Sequence, residues 1–113
     1  MWILSRYGFF SIVEKPEDRA RGTLTVRARV REDLDELREH MMASLGPTTE
    51  TTGTDYRFRA IAPRADVANA LAQLAADIDY SNFKDEVERR QGTQRADVYA
   101  QVWSCLLPLQ RRS

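Results

Sequence analysis

The chain has 113 residues, one domain's length, and its apolar share of 42% supplies one core rather than two. Lys and Arg together number 17, as do Asp and Glu. No net field therefore holds nucleic acid or an anionic membrane without regard to sequence, and either role would need a local patch. Cys105 is the only cysteine and His40 the only histidine, which excludes an internal disulfide and a zinc site built on Cys and His.

Residues 2–15 read as strand. Trp2 to Leu4 and then Phe9, Phe10, Ile12 and Val13 are aromatic or β-branched, with Gly8 between them where a bulge or bend fits. The second half is apolar at nearly every position, as in a strand covered on both faces. Pro16 to Gly22 is polar, ends in glycine and reads as a turn. Residues 23–30 alternate: Leu24, Val26, Ala28 and Val30 against Thr25, Arg27, Arg29 and Arg31.

The period then changes. Leu34, Leu37, Met41 and Leu45 predict a helix from Glu32, stopped by Gly46-Pro47. A threonine-rich loop, 48–54, leads to a third strand over 55–62, with Tyr56, Phe58 and Ala60 opposite Arg57 and Arg59. Pro63 opens a helix through Asp77, carrying Val67, Leu71, Leu74 and Ile78. Ser81 or Asn82 caps a short helix ended by Gly92. A last helix from about Thr93 carries Tyr99, Val102, Trp103 and Leu106; Pro108 closes it, and the tail 110–113 frays. The expected fold is one α+β domain, order β-β-α-β-α-α-α. Its antiparallel sheet has three strands, or four with a short one at the start, and carries helices on at least one face.

The candidate binding residues are Arg27, Arg29, Arg57 and Arg59. Of the 17 basic residues only Lys15 and Lys84 are Lys, and arginine's planar fork suits carboxylate and phosphate, although a GC-rich genome gives the same bias. If the second and third strands share a sheet, the guanidiniums share one face, and like charges so placed require compensation. Asp77, Asp79, Asp85, Glu86 and Glu88 could supply it from within. The other compensators are an acidic protein partner or second subunit, and phosphate or nucleic acid. Nucleic acid would need aromatic residues among the arginines; Phe9 or Phe10 could lie there, but alternation sends Tyr56 and Phe58 to the opposite face.

Catalytic chemistry has little support. Cys105 sits between Trp103 and Leu106, a setting for a small buried thiol, and His40 suits a helix end. There is no phosphate-cradling glycine loop or glycine-flanked serine, and no cofactor is implied. A magnesium site on Asp77, Asp79 and Asp85 would give a metal-dependent hydrolase, but acids at helix ends are mostly caps.

The segments Met1-Trp2-Ile3-Leu4, Tyr7-Gly8-Phe9-Phe10-Ser11, Val26-Arg27-Ala28-Arg29-Val30, Asp55-Tyr56-Arg57-Phe58-Arg59 and Asp79-Tyr80-Ser81-Asn82-Phe83-Lys84, with Tyr99 and Trp103, resemble a family of short bacterial proteins with no assigned activity. The resemblance spans nearly the whole chain and implies a bacterial, free-standing, full-length protein. It implies no catalytic residue or ligand. No run of about 18 apolar residues is present to cross a bilayer, and the start lacks the basic segment of a signal peptide, so a cytoplasmic location is expected. The sequence thus points to a non-catalytic binding or regulatory module acting through a protein surface, with a homodimer as one form. Binding of nucleic acid or a phosphorylated metabolite on the arginine face is the alternative, and the hydrolase the third.

Overall fold

The computed structural model describes residues 1–111; of the tail 110–113 expected to fray, Gln110 and Arg111 are helical, and Arg112 and Ser113 lie outside the described residues. The chain forms two units, Met1–Ile78 and a helical one from Asp79 onward.

The first unit holds an antiparallel sheet of five strands, where three or four were expected. In chain order they are β1 (Trp2–Ser5), β2 (Gly8–Val13), β3 (Thr23–Ala28), β4 (Thr49–Glu50) and β5 (Phe58–Pro63), and across the sheet they run β1-β2-β3-β5-β4. The predicted first strand splits because the chain reverses at Arg6-Tyr7. Neither residue there has positive φ, so the turn lacks the usual Asn-Gly chemistry. The Ser5 side chain replaces it: its hydroxyl donates to the Gly8 carbonyl at 2.9 Å and accepts from the Tyr7 and Gly8 amides at 3.2 Å. Gly8 follows at φ 152°, a region open essentially to glycine.

The segment predicted as a turn is a short helix, α1 (Pro16–Arg21), with Pro at its first position and Gly22 left-handed at its end. Asp18 ties it to β3. Its carboxylate, almost fully buried, accepts from the Lys15 amide at 2.8 Å and from the hydroxyls of Thr23 and Thr25 at 2.6 and 2.8 Å. Burial pushes its pKa up, but those hydrogen bonds and the Arg21 charge outweigh it and hold the group below the ordinary value.

Helices α2 (Arg31–His40) and α3 (Arg64–Ala76) cover one face of the sheet. Phe10 and Ile12 of β2, Val26 and Ala28 of β3, and Ala60 and Ala62 of β5 meet Leu34, Leu37, Val67 and Ala70 there. The predicted first helix runs to Leu45; the real one stops at His40. Arg38 causes the early stop by gathering the following loop: it donates to the carbonyls of Leu45 and Gly46 at 3.1 and 2.6 Å and to the Thr48 hydroxyl at 3.0 Å. Met42 and Leu45 still reach the core from that loop. Along α3 the buried positions are Val67 and Ala70, with Leu71 and Leu74 half-buried and Ile78 exposed, so the expected stripe is rotated towards its start.

The helical unit contains α4 (Phe83–Gln91), α5 (Thr93–Leu106) and α6 (Pro108–Arg111), so Pro108 opens a further turn of helix rather than ending the structure. Asn82 caps α4 by accepting from the Asp85 amide at 2.9 Å, and Gly92 at φ 95° makes the reversal into α5. Replacing Asn82 by Ala should cost about 1 kcal/mol; a urea midpoint unchanged within error would show that the cap contributes nothing. Val87, Ala96 and Tyr99 are buried, whereas Trp103, Cys105 and Leu106 are exposed. The thiol expected to be buried is therefore at the surface, because α5 turns its Ala96–Tyr99 line inward. Among the described residues no helix is long and apolar enough to cross a membrane.

Candidate functional site

With α2 and α3 on one side, the other face of the sheet carries the residues that alternate away from the core. Register places five of them in a row: Trp2 faces Ser11, Ser11 faces Arg27, Arg27 faces Arg59, and Arg59 faces Thr49. One residue from each strand, β1 to β4, thus lies on a line crossing the whole sheet. Arg27 and Arg59 are direct cross-strand neighbours, an arrangement that repels unless something intervenes.

Tyr56 is what intervenes. The Arg27 and Arg29 guanidiniums lie 4.5 and 4.9 Å from its ring centroid, and Arg59 Nε donates to its carbonyl at 3.3 Å. One aromatic residue therefore touches all three cations, its ring supplying the negative face that a guanidinium favours. Phe9 flanks it, 6.3 Å from Tyr56 and 5.9 Å from the Arg29 guanidinium. The expectation that Tyr56 points to the core side is overturned. Strand β5 begins at Phe58, so the alternation that places Phe58 and Ala60 inward does not extend back to residue 56. The outward apolar side of β2 is likewise partnered within the chain, Phe9 by Tyr56 and Arg29.

The four sequence-predicted arginines divide. Arg27, Arg29 and Arg59 converge on Tyr56, and among the described residues none of the three forms an ion pair with a carboxylate. Each guanidinium has five N–H donors, and the hydrogen bonds found use one on each: Arg27 to the Ser11 hydroxyl at 2.6 Å, Arg29 Nε to the Asp55 carbonyl at 3.1 Å, and Arg59 as above. Arg27 Nε is buried without an oxygen partner, lying instead against the Tyr56 ring. Arg57 belongs elsewhere. It and Arg31, the first residue of α2 rather than the end of β3, hold Glu50 at 2.8 and 3.2 Å and lie over Phe58. Hydrogen bonds from Arg57 and then Arg31 lower the Glu50 pKa.

Three of the five acids expected to neutralise the arginines have local partners. Asp77 accepts from Gln73 at 2.6 Å, Glu86 pairs with Arg89 at 2.7 Å, and Glu88 accepts from the Thr93 hydroxyl at 3.5 Å. Among the described residues, three metal-ligand atoms come within 4.8 Å of one another only at Glu36, Glu39 and His40. His40 there stacks on Tyr7 and pairs with Glu36 at 3.2 Å. In the helical unit Phe83, stacked on Tyr99 at 5.8 Å, lines an open cleft with Asn82, Lys84, Ala100 and Trp103.

Sequence reasoning missed Tyr56 and Ser11 as site residues; the signal available was an aromatic residue immediately before an Arg-x-Arg strand. Tyr56→Leu keeps an apolar side chain but removes both ring–guanidinium contacts. It should cost about 1–2 kcal/mol, read as a shifted urea midpoint, and the loss should shrink when Arg27 and Arg29 are already replaced by Gln. Comparison with family models, curated proteins and solved structures finds no match to this chain.

Proposed function

We propose that this chain is a non-catalytic binding module whose working surface is the sheet face away from α2 and α3, where Arg27, Arg29 and Arg59 hold an anionic partner. The supporting observation is the set of three guanidiniums gathered on Tyr56, with no carboxylate paired to them among the described residues. Assembling them costs repulsion that the ring only partly offsets, and an anion completes the compensation through charge-assisted hydrogen bonds to the open donors. The hydroxyl in the arginine row argues for binding over chemistry: Ser11 faces a guanidinium rather than a general base that could activate it.

Retention on immobilised heparin, read as the salt concentration of elution, tests the proposal. A net charge of zero means that retention must come from a patch. The parent should be retained and an Arg27→Gln/Arg59→Gln variant should flow through. Arg57→Gln should elute with the parent, since Glu50 already occupies Arg57. A parent that passes unretained at low salt would sink the reading.

Self-association through this face competes with it, favoured by Trp2 and Ile61, exposed to 73% and 40%. Light scattering across a concentration series decides between them: a constant monomer mass removes the dimer.

A further inference from the structure

We infer that the anionic partner is single-stranded nucleic acid, laid across the strands along the row Trp2–Ser11–Arg27–Arg59. The inference rests on the anion-binding reading of this face and adds the class of ligand. Two features select it. The first is the uncompensated arginine cluster, which needs phosphate or carboxylate. The second is Trp2, exposed to 73% at the end of the same row. An unpaired base has a π-face to lay on that indole while its phosphates reach the charges.

The ground between them is suitable. Ser11, between Trp2 and Arg27, is 1% exposed, and the Arg27 guanidinium reaches across to its hydroxyl, so a chain leaving the indole meets the first cation one strand away. The Cα of Trp2 and that of Arg59 are three strand spacings apart, roughly 15 Å, the reach of a few nucleotides in an extended strand. A base seated on Trp2 therefore leaves the following phosphates over Arg27 and Arg59. Arg29, leaning on Tyr56 and Phe9, extends the positive edge to one side. A duplex is a poor fit, because its bases are stacked inside and Trp2 would find no face to pair with.

The charge balance also sets the strength. Two or three phosphates neutralised on a single strand give a salt slope, log K against log salt, on the order of −2. Binding should accordingly be modest and readily lost at high salt.

Fluorescence anisotropy with a dye-labelled oligodeoxyadenylate tests this on the full chain, with the same strand in duplex form and a labelled polyglutamate as competing ligands. The single strand should bind with the slope given and more tightly than either alternative. Trp2→Ala should weaken it roughly tenfold or more, while Trp2→Phe restores most of the loss. Because Trp2 sits exposed on an edge strand, both variants should melt with the parent, which separates a lost stacking platform from a lost fold. Equal binding of the duplex, preference for polyglutamate, or Trp2→Ala binding like the parent would each overturn the inference. All three leave the anion-binding reading standing if heparin retention still depends on Arg27 and Arg59; loss of that retention removes both.

Discussion

Gly8→Ala is expected to cost about 4 kcal/mol of folding stability, the sum of a strained backbone and a broken charged hydrogen bond. Gly8 sits at φ 152°, and a methyl group built on it lands inside the Asp33 side chain, 2.6 Å from Cβ. Asp33 is itself buried, and its carboxylate accepts from the Phe9 amide at 3.0 Å, fastening the start of α2 to β2. It cannot swing aside without leaving that amide unsatisfied. Against a total stability of about 5–15 kcal/mol, one methyl group would remove a large share. A urea melt of Gly8→Ala checks it, and a midpoint matching the parent's would refute the crowding argument. Pairing the change with Asp33→Gly sharpens the test: the collision disappears, the backbone strain remains, and the double variant should lose less than the sum of the two single losses.

Asp18→Ala should cost about 3 kcal/mol at neutral pH, since three donors lose a buried, charged acceptor. For a chain of this size that is a fall of roughly 10 °C in Tm. The effect depends on pH in a fixed direction. The folded-state pKa of Asp18 is lowered, so its contribution is complete above the unfolded carboxylate value of about 4. It is lost as pH falls through the folded value. Parent and variant should therefore converge as the melts are repeated below about pH 4. A gap as wide in acid as at neutrality would mean that shape rather than charge accounts for the cost.

Much of the sheet was legible because Leu24, Val26 and Ala28 alternate with Thr25 and Arg27 without interruption, and period two leaves little choice of face. The same reasoning placed Arg27 and Arg59 together, and they are register partners. It failed where a strand was shorter than its pattern. Residues 55–57 alternate in sequence but lie before β5, which sent Tyr56 to the wrong side and concealed the contact that gathers the arginines. The split of the first strand was hard to see because Ser5 makes the turn through its hydroxyl, and a serine before Arg-Tyr carries no distinctive mark. The early end of α2 depends on Arg38 reaching carbonyls seven and eight residues ahead, a contact beyond any local period. Thr49–Glu50 forms a strand only because β5 offers it an edge.

The chain has two tryptophans, and both are out in the solvent, Trp2 at 73% and Trp103 at 68% exposure. Indole emission already reports water in the native state, so denaturation should barely move its colour, and optical unfolding curves on this protein are better taken from circular dichroism. The same placement turns Trp2 into a built-in sensor: anything that settles on the arginine row must dim or shift a native chromophore at its end, without a label.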